Sequence, residues 1–145
     1  MNHFRIDPPL RQIVESMIRK SSTFSALVAK LSIASGEYSL RIGKLPIKTP
    51  ALTVVKLGSG ATTIIDMQQL KNLRYQTSNG AKSLMTIERA IGHELSHALY
   101  HEHLPFPFDR VSPHSFIIRH ENKIMHEIAP TSPDRNEKND ILYTS

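Results

Sequence analysis

The sequence predicts a small α+β domain on three observations: an N-terminal segment with apolar residues at helical spacing, a middle segment of β-branched runs, and a second helical segment after them. The first begins after Asp7 at Pro8 and Pro9, where Leu10, Ile13, Val14, Met17 and Ile18 fall on one helix face. Beyond a break at Ser21 and Ser22, the residues Phe24, Leu27, Val28 and Leu31 repeat the spacing. One broken helix or two short ones are expected over roughly residues 9 to 33, with the apolar stripe as core.

Tyr38, Leu40 and Ile42 alternate with polar residues, and the runs from Leu52 to Leu57 and from Thr62 to Ile65 are rich in β-branched side chains. These predict a short antiparallel sheet. Gly58, Ser59 and Gly60 suit a hairpin between the last two strands, which makes Thr62 to Ile65 a candidate sheet edge. Residues 71 to 83, with Asn79 and Gly80, read as a polar loop. A helix follows from about Ser83 to Leu104, stopped by Pro105 and Pro107. The stretch from Phe116 to Met125 fits helix or strand, and the tail from Pro130 reads as irregular.

A chain of 145 residues matches one domain, so residues 1–145 are expected to form one unit with one site. No apolar run reaches membrane-spanning length, and the N-terminus lacks the apolar stretch of a conventional secretory signal. No membrane partner is expected. The net charge of +5 comes from scattered Lys and Arg without interleaved aromatics, so no nucleic-acid partner is expected either. The chain has no cysteine, which excludes disulfides and thiolate metal sites and leaves eight His and the carboxylates as ligands.

Those His are not evenly spread. His93, Glu94 and His97 form H-E-x-x-H in a segment whose Ile87, Ile91, Leu95 and Ala98 supply a separate apolar face. On a helix His93 and His97 stand one turn apart on one side, where both imidazoles reach one zinc ion. Glu94 lies beside that side, placed to activate a water on the metal. The expected fold is therefore zincin-like, with a zinc helix under a short sheet and a substrate extended along Thr62 to Ile65.

A third ligand is needed. His101 stands ~12 Å up the axis from His93, beyond the reach of one ion on an unbroken helix. His103 occupies the position of the third His in the metzincin pattern, with Met125 downstream as a counterpart of the methionine turn, but Tyr100 stands where that pattern needs Gly. Glu121 and Glu127, the second next to His126, are acidic candidates that position alone does not separate.

At these residues the chain resembles the type III secreted effector zinc metallopeptidases of the NleD kind. The resemblance rests on the run from Gly58 to Asp66, the G-H-E-L-x-H-A match from Gly92 to Ala98, Glu121 with Asn122, and Lys138 to Ile141, covering about residues 56 to 142. Asn122 stands where the family has a second Glu. The resemblance implies Glu121 as third ligand, one Zn2+ per chain, delivery by a type III system, and cleavage of a host protein. A regulator-cleaving peptidase acting inside the bacterium, and a non-catalytic binding protein, are the alternatives. Zinc analysis should find about one ion per chain, and His93→Ala or His97→Ala should abolish it; wild-type stoichiometry in the double variant would contradict the assignment. The family register further expects Glu121→Ala to weaken zinc more than Glu127→Ala or His103→Ala.

Overall fold

The computed structural model describes residues 4–56, 59–103, 113–139 and 141–144, with the side chains of 101–103 and 113 left out. Strand β1 (Phe4–Ile6) leads into helix α1 (Pro8–Lys20), whose first turn holds the two prolines because neither needs a backbone N–H there. Asp7, just before it, accepts from the Ile42 N–H (2.9 Å) and donates its own N–H to the Leu40 carbonyl (2.9 Å), tying the start of α1 to the end of a strand. Ser21 then divides the helical region in two. Its N–H closes α1 on the Met17 carbonyl, and its hydroxyl accepts from the Phe24 N–H to cap α2 (Ser22–Ile33). Of the predicted stripe, Leu10, Val14, Met17, Phe24, Leu27 and Leu31 are buried, and Ile13, Ile18 and Val28 are half-buried against the same core.

Strands β2 (Glu37–Ile42), β3 (Ala51–Lys56) and β4 (Gly60–Ile65) complete the first sheet, in the order β1-β2-β4-β3. The three strand segments lie where the sequence put them, but the sheet is mixed: β1 with β2 and β2 with β4 are parallel, and only β3 with β4 is antiparallel. This corrects the antiparallel expectation. It also moves the edge, because β4 is interior and β3 is the outer strand. Glycine permits that arrangement: Gly60 has φ +104°, and a Cβ on it would collide with the Glu37 carbonyl, so β2 and β4 can start side by side only with Gly there. Along β4, Ala61, Thr63 and Ile65 are buried and Thr62 and Ile64 half-buried, the pattern of a covered strand.

After the short α3 (Met67–Leu70), strands β5 (Leu73–Gln76) and β6 (Lys82–Leu84) form a hairpin within the stretch expected to be loop. Gly80, at φ +92°, makes its turn. The helix expected from Ser83 begins later, as α4 (Ile87–His103), with the Thr86 hydroxyl accepting from the Arg89 N–H. The ambiguous segment after it is helical, α5 (Pro113–Ile128). The tail is not loose. Asn136 donates its N–H to Gln76, Ser78 donates to Asp134, and β7 (Leu142–Thr144) adds antiparallel to β5, giving a second sheet in the order β6-β5-β7. The architecture is α+β, with five helices and two small sheets among the described residues. Ile91 and Leu95 of α4 pack into the core shared by α1, α2 and the inner face of the first sheet. Pro105 and Pro107, expected to stop α4, lie outside the described residues. No described helix is long and apolar enough to cross a membrane.

Glu127 has a structural task in this frame. Its carboxylate, on α5, accepts from the Ser21 hydroxyl (2.7 Å), the Thr23 N–H (2.9 Å) and the Thr23 hydroxyl (2.6 Å), finishing the cap of α2. Burial pushes its carboxyl up, but the Thr23 and Ser21 bonds outweigh burial and hold it below the usual range. Glu127→Ala should destabilise the fold by about 1–2 kcal/mol in denaturant unfolding and leave metal affinity unchanged. Because the folded pKa is depressed, the contribution of Glu127 is present above the ordinary glutamate value. It is lost as pH falls through the folded value, so the difference from Glu127→Ala should shrink on acidification.

Candidate metal centre

Helix α4 carries His93 and His97 four residues apart, and their rings stack edge to face with centroids 5.0 Å apart. The first turn of α5 brings a third imidazole. His114 lies 4.8 Å from His93 and 5.3 Å from His97, centroid to centroid, with its Nε2 at 3.1 Å from Nε2 of His93. One ring nitrogen from each of the three falls within 4.8 Å of the others. Nitrogens bound tetrahedrally at about 2.0–2.1 Å from zinc sit about 3.4 Å apart, so small ring movements would place all three on one ion.

His114 and Glu121 are seven residues apart on α5 and therefore share its face toward α4. Glu121 nevertheless does not join the cluster. It is fully buried behind His93, where Oε1 accepts from Nδ1 of His93 (2.7 Å) and Nη1 of Arg135 (3.0 Å), and Oε2 accepts from Nη1 of Arg89 (2.6 Å). Burial disfavours its charge, but the His93 bond and the charges of His93, Arg135 and Arg89 prevail and hold its pKa at about 2. An ionised carboxylate only accepts, so Nδ1 of His93 carries a proton and Nε2 is the nitrogen turned toward the cluster; a metal bound there would take Nε2 in its deprotonated form. A carboxylate behind a ligating imidazole is the usual device for fixing a metal-binding tautomer.

The arginines that neutralise Glu121 were not visible as site residues in the sequence. Arg89, 1% exposed, also donates to Asn122 Oδ1 (2.8 Å) and the Pro133 carbonyl (2.7 Å), and its guanidinium lies 4.4 Å over the Tyr75 ring. Asn122 donates to the Arg135 carbonyl (2.9 Å) and accepts from its N–H (2.7 Å), so this side chain anchors the tail and points to no metal.

Glu94 is half-buried between α4 and the edge strand, where its Oε1 accepts from the Thr53 hydroxyl (2.8 Å). Desolvation raises its pKa, against the opposing pull of His93 and of the Thr53 bond. Glu94, His97 and His114 line a cleft of about 290 Å³ with Ala51, Leu52, Thr53 and Val55 of β3. The strand beside the centre is thus β3, replacing Thr62 to Ile65, which lie one strand further in.

Of the other candidates, Glu127 caps α2, Met125 sits inside helix α5, where no methionine turn can form, and His126 pairs with Asp134 at 2.6 Å. The side chains of His101 and His103 lie outside the described residues. The reading of the sequence missed His114. Its signal was Ser112 followed by Pro113, a helix-start pair that would have extended α5 backward to include it. Compared with protein-family models, curated proteins and solved structures, the chain matches none.

A chelator competition with zinc should rank His114→Ala as more damaging to affinity than Glu121→Gln, which should cost about 10- to 100-fold. Glu121→Gln should also lower stability by about 3–5 kcal/mol, since Arg89 and Arg135 lose their buried counter-charge. Normal affinity in His114→Ala would remove His114 from the centre.

Proposed function

We propose that the chain is a zinc-dependent endopeptidase with a zincin-like centre, in which His93, His97 and His114 hold the metal and Glu94 is the general base. The carrying observation is the convergence of three imidazoles beside a half-buried glutamate and an outer strand. Three neutral nitrogen donors with no thiolate suit zinc. The proposed ligand set thus takes His114 in place of Glu121, whose carboxylate is spent on His93, Arg135 and Arg89. Zinc bound there supplies Lewis acidity and a fourth position at which water ionises near pH ~7.

The chain's own groups supply the rest. Glu94 accepts the proton of the attacking water and later gives it to the leaving amine, a role that suits a carboxylate whose pKa is raised by desolvation. Thr53 holds that carboxylate toward the cleft. β3 bonds to β4 along one side, and its other side borders the cleft, where an extended peptide can add as a further strand. The resemblance of Gly92 to Ala98 and the flanking segments to NleD-type effectors supports a host protein as the target, reached by type III delivery.

Glu94→Gln should keep the metal and the fold while losing peptidase activity, because the amide preserves shape and removes the base. New protein N-termini should accumulate in host lysate treated with the zinc-loaded protein and be absent with Glu94→Gln. Equal sets of N-termini from the two would refute the proposed chemistry.

A further inference from the structure

A second cavity, of about 150 Å³, adjoins the centre on the His93 side and shares Ala51, Glu94 and His114 with the cleft along β3. Its remaining wall is mostly apolar, contributed by Pro50, Leu70, Met85, Ala90 and Leu142. We infer that this cavity receives the substrate side chain next to the scissile bond and selects a medium to large apolar one. The inference rests on the peptidase reading and adds to it a substrate class.

Three features fix the chemistry. The first is size: an apolar cavity of about 150 Å³ takes a group as large as a benzene ring. Ala51 and Ala90 leave that space, and Ala90 does so one turn before His93 on the metal-binding helix. The second is charge. Arg135 also borders the cavity, but its Nη1 is committed to Glu121 at 3.0 Å, while Glu94 on the opposite count would repel an acidic side chain. The third is construction: the wall draws on the start of β3, on α3, on α4 and on β7, so the tail helps to choose the substrate. An apolar recess that opens directly beside the reacting groups is the form expected of a side-chain subsite.

The test uses the zinc-loaded protein and a set of peptide hydroxamates that differ only in the side chain beside the metal-binding group: hydrogen, isobutyl, benzyl or carboxymethyl. Calorimetry should show isobutyl or benzyl binding about ten- to hundredfold tighter than hydrogen, with carboxymethyl no tighter than hydrogen. Ala90→Leu, which fills the cavity, should remove that advantage and leave the hydrogen compound bound as before. The wild-type series decides the matter even if that variant fails to fold. Equal affinities across the series, or a preference for carboxymethyl, would overturn the inference while leaving the metal centre standing. A protein that takes up no zinc would overturn both.

Discussion

The burial of one carboxylate organises this molecule. Glu121 lies in the interior between Arg89, Arg135 and His93, and an ion in that position is tolerable only if its partners are fixed. Those partners come from separate parts of the chain. Arg89 and His93 stand one turn apart on α4, Glu121 stands on α5, and Arg135 comes from the tail, which Asn122 grips by its backbone. Satisfying one charge therefore fixes α4 against α5 and both against the second sheet.

The same constraint sets the chemistry of His93. Because Glu121 accepts from Nδ1 of His93, Nε2 is the nitrogen left toward the cluster, 3.1 Å from Nε2 of His114. His114 reaches that point because α5 begins at Pro113, and Glu121 reaches its own place because it is two turns further along the same face. Ligand and orienting carboxylate are thereby delivered by one rigid helix. On the opposite side, Thr53 of β3 holds Glu94, so the outer strand and the helix pair each fix one half of the site.

Much of this was legible in the sequence, and the misses have physical causes. The spacing of His93, Glu94 and His97 is a local property of one helix and could be read directly. The helices at residues 8–33 and the three strands between 37 and 65 announced themselves by periodicity. Strand order did not, because β4 enters between β2 and β3 through a close backbone approach at Gly60 that leaves no periodic trace. β5 and β6 are short and flank a polar turn, so loop composition masked them. Glu121 was singled out as a residue of the site, but its partners Arg89 and Arg135 are 46 positions apart and meet only in the folded chain. His114 sat behind a helix start placed three residues too late.

X-ray absorption at the zinc edge of the loaded protein measures the proposed centre most directly. The account predicts three imidazole nitrogens at about 2.0–2.1 Å with one further light ligand, and one imidazole fewer in His114→Ala. A shell of two imidazoles with a protein carboxylate, unchanged in His114→Ala and altered in Glu121→Gln, would contradict it.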